Sequence, residues 1–182
     1  MIDEIALVKD LQNNSSKEVA FRTLITNYKE RLYWHIRKIV INHADTDDVL
    51  QNTFIKIYYN IESFNKQSKL YSWMYRIATN EAITFINKRA KEQHTDITTY
   101  YKKVANSLQS DVYFNGDEIQ LILQKAIALL PEKQRLVFNM KYFDGMKYDE
   151  ISEILETTVG SLKASYHHAV KKIEHFIKNN TD

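Results

Sequence analysis

Residues 129–177, LLPEKQRLVFNMKYFDGMKYDEISEILETTVGSLKASYHHAVKKIEHFI, carry three helical apolar patterns in succession, and the joints between them show in the residue types. Pro131 stands where a proline pre-sets the first helical turn, and Asp144-Gly145 marks a stop. The pattern restarts over residues 148–155 and breaks at Glu156-Thr157-Thr158. It resumes with Val159, Leu162, Tyr166, Ala169, Val170 and Ile173. Two helices joined by a turn of about three or four residues, the second longer and basic, describe a helix-turn-helix. That arrangement implies contact with DNA.

At 3.6 residues per turn the apolar stripe of the last helix fixes its opposite face. Ser161, Ala164, His167, His168 and Lys171 fall there, with Lys163 on the flank. Small and polar side chains near the helix start allow deep entry into a major groove. Thr158 is suited to the N-cap, leaving free backbone N–H groups to meet a phosphate. The solvated face of an ordinary bundle has the same spacing.

Of 182 residues 44% are hydrophobic, with only three Gly and one Pro, which points to an almost wholly helical chain. Cysteine is absent, excluding a disulfide framework and thiolate chemistry. The acidic start Met1-Ile2-Asp3-Glu4 lacks the basic-then-apolar pattern of a secretory signal, and no apolar run approaches the ~20 residues that span a bilayer. A cytoplasmic protein is expected. Net charge is only +2, from 25 basic and 23 acidic residues. Holding duplex DNA unaided takes several clustered cations, so a partner is expected to do most of the holding. Within the C-terminal half, Glu150, Glu153 and Glu156 are expected to face the basic end of the last helix at Lys171, Lys172 and Lys178.

The N-terminal half reads as a second helical domain. Asn13-Asn14-Ser15-Ser16 separates a short helix from a long one, and Ser15 with Glu18 has capping-box spacing. The long helix runs to about Ile41, a third starts within Asp45–Asp48 and continues through Tyr59, and a fourth covers 70–92. Apolar periodicity fades over 93–116, which predicts a linker, flexible in isolation, though Tyr100, Tyr101, Val104 and Leu108 offer docking points. On the fourth helix Met74, Ile77, Ala78, Ala82 and Phe85 share one side; Trp73, Arg76, Asn80, Thr84 and Asn87 are expected opposite. An aromatic ring, a guanidinium and amides in a row suit a strand with exposed bases, with Lys88, Arg89 and Lys91 taking phosphates. Trp73 as a core residue is the alternative. A flipped base needs a receiving loop, and residues 63–69 precede the helix.

Taken together the chain resembles a bacterial RNA polymerase sigma factor of the extracytoplasmic-function (ECF) group. Asp48-Val49-Leu50-Gln51-Asn52-Thr53-Phe54 is similar to the segment that docks on the polymerase clamp helices. Tyr71-Ser72-Trp73-Met74-Tyr75-Arg76-Ile77-Ala78-Thr79-Asn80 is similar to the stretch that melts and captures the minus-ten element. Leu130-Pro131-Glu132-Lys133-Gln134-Arg135, Tyr148-Asp149-Glu150-Ile151 and Val159-Gly160-Ser161-Leu162-Lys163 resemble the domain that reads the minus-thirty-five element.

The resemblance implies an all-α fold of two small helical domains, 1–92 and 117–182, joined by the linker 93–116, the C-terminal one a helix-turn-helix. It implies minus-ten contacts from Phe64, Ser68, Lys69, Trp73, Arg76, Asn80, Thr84, Asn87, Lys88 and Arg89. Asn80 would meet the flipped base, with Phe64 and the 63–69 loop as its pocket. It implies minus-thirty-five contacts from Thr158, Ser161, Lys163, Ala164, His167, His168 and Lys171, and docking on the clamp helices of the largest polymerase subunit through Asp48, Gln51, Asn52 and Phe54. The implied partners are core polymerase, promoter DNA and an anti-sigma factor, often membrane-anchored in this group. No enzyme activity, cofactor, metal or small-molecule substrate is implied.

Many relatives carry Asp and Arg-Arg where this chain has Thr84 and Asn87-Lys88, and Arg where Ser165 and His168 stand. Fewer guanidiniums mean fewer bidentate guanine contacts, each worth about 1–3 kcal/mol of discrimination, so a less G-rich or more shape-read upstream element is expected. An autonomous helix-turn-helix regulator is disfavoured by the lack of β-strand alternation in the N-terminal half. A helical module without DNA contact leaves the Trp73-Arg76-Asn80 row unexplained. The six histidines have no helical zinc spacing.

Overall fold

Apolar residues at three- and four-residue spacing build nine α-helices and no strand among residues 3–65, 68–107 and 118–180, the part of the chain described by this computed structural model. The helices are α1 (Glu4–Leu11), α2 (Lys17–Val40), α3 (His43–Asn60), α4 (Leu70–Glu92), α5 (Ile97–Asn106), α6 (Glu118–Ala128), α7 (Glu132–Phe138), α8 (Tyr148–Leu155) and α9 (Val159–Lys178). The all-α expectation holds. Lys66, Gln67, Leu108 and Gly116 lie outside the described residues.

Leu24, Leu32, Ile36 and Ile39 of α2 close on Val49 and Ile57 of α3 and on Met74, Ala78, Ala82 and Ile86 of α4. Helix α1 covers one end with Leu7, Val8 and Leu11, started by the Asp3 carboxylate accepting the Ile5 and Ala6 N–H groups at 3.0 and 3.2 Å. The capping box expected at Ser15 does not form: the Asn13 amide oxygen captures the Ser15 N–H (3.1 Å) and hydroxyl (2.8 Å), and Ser16 becomes the cap residue of α2. Helix α3 begins earlier than expected, at His43, because the Asn42 side chain accepts the Asp45 N–H at 3.1 Å.

The predicted linker is not a featureless tether. Its polar Thr and Lys residues dilute an amphipathic period, yet Tyr100, Tyr101 and Ala105 fall on one face of α5 and are buried. The Tyr101 hydroxyl donates to the Ile39 carbonyl in the N-terminal half (3.1 Å). Its ring lies 3.4 Å beneath the Arg135 guanidinium of the C-terminal half. Arg135 is 2% exposed and donates to the carbonyls of Ala128 and Leu130 at 3.3 and 3.1 Å. Burial pushes the Tyr101 hydroxyl up to about 12 and pulls the guanidinium below its ordinary value.

Helix α7 runs into a π-helical turn, Asn139–Phe143, before Gly145 reverses the chain at φ 65°. This places Asn139 to donate to the Lys38 carbonyl at 3.2 Å, and Asp144 against α2. The Asp144 carboxylate pairs with Lys38 and takes His35 Nδ1 at 3.1 Å. His35 Nε2 meets the Thr79 hydroxyl at 2.9 Å, and that hydroxyl already donates to the Tyr75 carbonyl at 2.7 Å. His35 thus bridges Asp144 and Thr79 through its two ring nitrogens. With α8 against α4, buried residues of all nine helices form one connected cluster. A second, of Ala126, Ile127, Leu130, Phe138, Ala169 and Ile173, joins α6, α7 and α9.

Replacing Tyr101 by Ala leaves the Arg135 charge without its ring, and a loss of about 3–5 kcal/mol in urea unfolding is expected; Tyr101→Phe loses one hydrogen bond, about 1 kcal/mol. Burial raises the Asp144 carboxyl, but His35 and Lys38 overcome it and hold it below the usual range. A depressed carboxyl contributes stability at neutral pH and loses it as pH falls through the folded-state value. Unfolding free energy should therefore drop below about pH 4, and Asp144→Asn should flatten that acid limb.

Candidate nucleic-acid interface

Helix α4 spans the residues expected for it but presents them differently. It packs against α2, α3 and α8 and is buried over most of its circumference. Trp73 is in the core, 9% exposed, with its ring 5.3 Å from that of Phe64, itself 5% exposed. The placement of Trp73 on an outward face is therefore corrected: the ring packs in the core against Phe64. Lys69 at the N-terminus of α4 is exposed, Ser68 half-buried. Arg76 is half-buried; Asn80, Thr84, Asn87 and Lys88 are exposed. Arg89 is held by Asp45 at 3.0 Å, lies near Glu92 at 3.7 Å and covers the Phe85 ring at 5.0 Å; Lys88 reaches Glu92 at 3.9 Å.

Two hollows divide this row. Asp48, Gln51 and Asn52 of α3 share a groove of about 390 Å3 with Thr84, Lys88 and Arg89 of α4, so residues assigned separately to polymerase and to DNA lie side by side. Phe54 does not join them. It is 8% exposed, its ring 6.3 Å from Phe21 in an edge-on contact, so it supports the α3 surface from within. Arg76 and Asn80 line a second cleft of about 260 Å3, closed on its far side by Glu132, Lys133, Leu136, Ile154 and Glu156.

The helix-turn-helix forms with the expected boundaries. Helix α8 ends as Glu156 adopts a left-handed conformation (φ 50°, ψ 47°), and Ser152 donates to the Thr157 carbonyl at 2.6 Å to close the turn. Thr158 caps α9, accepting the Ser161 N–H at 3.4 Å. Leu162, Ala169 and Ile173 are buried, while Lys163, Ala164, His167, His168 and Lys171 are exposed on the outer face. Ser161 is half-buried and accepts a hydrogen bond from Lys133 at 3.0 Å.

The carboxylates of α8 are not spent where expected. Glu150 lies 3.4 Å from Lys69 and Glu156 2.8 Å from Arg76, so both turn toward the N-terminal half and away from Lys171, Lys172 and Lys178. Glu150 also accepts the Lys147 N–H at 2.9 Å; that bond and then Lys69 hold its carboxyl below the ordinary range. His35, Lys38, Asp144 and the Tyr101–Arg135 stack were absent from the expected site. Only Tyr101 left a trace in the sequence, through the spacing of Ile97, Tyr100, Tyr101 and Val104. Among the described residues no group of three or more His, Cys, Asp or Glu could hold a metal ion.

Residues 24–92 match the family model for Sigma-70 region 2, and residues 120–173 that for Sigma-70, region 4. The ECF RNA polymerase sigma factor SigW of Bacillus subtilis (strain 168) is 33% identical over 156 residues, 81% of this chain and 83% of that protein. The ECF RNA polymerase sigma-E factor of Haemophilus influenzae is 28% identical over 184 residues, 95% and 94% of the two chains. Among solved structures, CnrH in complex with the cytosolic domain of CnrY aligns with a TM-score of 0.72 at 18% identity, over 97% of this chain and 98% of that one. The sigma factor RpoE, in complex with the anti-sigma factor NepR from Bartonella quintana, gives 0.66 at 19% identity, over 88% and 98%. The helix-turn-helix fold and the two matched regions define a transcription protein of the helix-turn-helix class. The chain belongs to the ECF RNA polymerase sigma factors.

Proposed function

We propose that this chain is an alternative sigma factor that binds core RNA polymerase, recognises promoter DNA and promotes strand opening. The observation that carries the reading is the division of α9 into a buried stripe and an exposed face, with Thr158 capping its N-terminus. Its working units are residues 1–92 and 117–182, with 93–116 between them. Lys163, Ala164, His167, His168 and Lys171 read the minus-thirty-five duplex, with Thr158 and Ser161 at the phosphate-facing helix start. Lys69, Arg76 and Asn80 take the melted minus-ten strand, with Phe64, Ser68 and Trp73 shaping the loop and its floor; Thr84, Asn87, Lys88 and Arg89 continue the track. Asp48, Gln51 and Asn52 form the docking surface for the clamp helices, stiffened from beneath by Phe54. Core polymerase supplies the affinity that a net charge of +2 does not.

The partners follow from this role. Both structural relatives named above were solved with a bound protein, one of them an anti-sigma factor, which supports a similar inhibitor for this chain. No helix of the described residues is long and apolar enough to cross a membrane, and the proposed place of work is the cytoplasm.

Transcription by core polymerase supplemented with this protein, over a library of random promoters, tests the reading. A shared two-block motif is expected, and absence of any promoter-dependent product from a complex that forms would overturn it. On the recovered promoter, Asn80→Ala should lower initiation about tenfold, the effect of losing about 1.4 kcal/mol of base contact, with core affinity unchanged in a pull-down titration. Lys171→Ala should weaken binding to the upstream duplex and make the slope of log K against log salt shallower by about 0.9, one phosphate contact.

A further inference from the structure

The match to Sigma-70 region 2 begins at residue 24, yet the residues before it are built into the fold. Leu7, Val8 and Leu11 of α1 are buried, and Gln12 closes that helix as its cap residue. The half-buried Gln12 side chain then reaches across 49 and 52 positions of sequence: its Nε2 donates to the Ile61 carbonyl at 3.1 Å and to the Phe64 carbonyl at 2.9 Å. Those carbonyls stand at the two ends of the short 3₁₀ turn Ile61–Ser63, through which α3 passes into Phe64. The Phe64 N–H itself donates to the Ile61 carbonyl at 3.2 Å, so a single amide ties the entry of the turn to its exit. Phe64 is 5% exposed, and its ring lies 5.3 Å from that of Trp73.

A second tie runs alongside. Lys17 Nζ lies 2.8 Å from Glu62 and 4.6 Å from the centre of the Tyr58 ring. The Glu62 side chain is 62% exposed, so solvent screens that pair and it holds weakly. The Gln12 bonds are part-buried, where a carbonyl deprived of its donor is costly. Of the two ties, the amide is the one that decides where the turn sits.

We propose that Gln12 is a positioning residue for capture of the minus-ten strand: it fixes the Ile61–Phe64 turn, and with it the Phe64–Trp73 wall against which the displaced base is received. The proposal rests on the assignment of Phe64 and Asn80 to that base. The amide is neutral and both its bonds are spent on the turn, so it acts through Phe64 and not on a phosphate. Freed of the tie, the turn samples arrangements in which Phe64 leaves Trp73, and apparent affinity falls with the fraction of molecules that keep the wall in place. The loss is confined to strands whose base enters the pocket. Salt dependence counts phosphate contacts and stays as it was.

The test uses holoenzyme assembled from core polymerase and the full chain, titrated by fluorescence anisotropy against two single strands. One carries the minus-ten sequence recovered from the promoter library. The other lacks the base at the position where Asn80→Ala relaxes the sequence requirement. Q12E keeps the side-chain length and turns an oxygen toward both carbonyls; Q12M keeps the length with no donor, and circular dichroism reports the folding of each. I39V, a core truncation at the opposite end of α2, controls for lost stability. Both Gln12 variants should bind the intact strand roughly five- to thirtyfold more weakly, the worth of one to two ordinary hydrogen bonds. They should bind the base-free strand as the unaltered chain does, with an unchanged salt slope, and I39V should keep the full preference for the intact strand. Folded Gln12 variants that keep that preference, or that lose affinity for both strands equally, overturn the proposal. Failure of the underlying assignment looks different: Asn80→Ala then relaxes no position, or the unaltered holoenzyme does not distinguish the two strands, and the role of Gln12 falls with it.

Discussion

A guanidinium sealed in the interior sets the terms for much of this molecule. Arg135 is almost wholly out of water, a transfer that costs several kcal/mol unless its hydrogens and charge are met. Two carbonyls meet one nitrogen, and the face of Tyr101 meets the charge, while Nε has no hydrogen-bond partner among the described residues. The C-terminal half therefore relies on a residue from the connecting helix. The same tyrosine reaches across to the Ile39 carbonyl of α2. Linker and halves are energetically joined through one side chain.

That coupling changes the meaning of the modest charge. A near balance of acids and bases forecasts weak binding to free DNA, but not where the neutralisation takes place. Here it is concentrated on the N-terminal half, where Lys69, Arg76 and Arg89 each have a carboxylate in reach. On α9, Lys163 sits near the ring of Tyr148, and Lys171 stays exposed on the outer face. The cations of the two proposed reading surfaces thus differ in what would have to be displaced before DNA could reach them.

What was legible in the sequence was local. The ends of α4 and α8, the turn at Glu156–Thr158 and the Thr158 cap follow from residue types within a few positions of each other, and they stand where expected. The face of α4 was less legible for a geometric reason. Dividing a helix into an apolar and a polar side presumes one packed side, whereas α4 has neighbours on three. Trp73 then falls into the core from a position that periodicity assigns to solvent, while Phe54, given a docking role by the resemblance alone, is buried on α3. The inter-half pairs were beyond reach, because Arg76 and Glu156 lie 80 positions apart in sequence and nothing local links them. The docking of α5 lies between these cases: its apolar spacing was present but diluted by threonine and lysine.

The π-turn at Asn139–Phe143 bears on how such chains diverge. A π-turn is an α-helix that has absorbed one extra residue: it spends one residue more on a full turn, so the segment after it keeps nearly the rotational phase it would have without the insertion. Loss of a single residue there would restore regular winding and leave the helix-turn-helix facing nearly the same way. The same loss inside α8 or α9 would turn everything beyond it by about 100°. A change of length between relatives is therefore absorbed at Asn139–Phe143 more readily than within the helices that follow, whatever sequence identity suggests about where to cut.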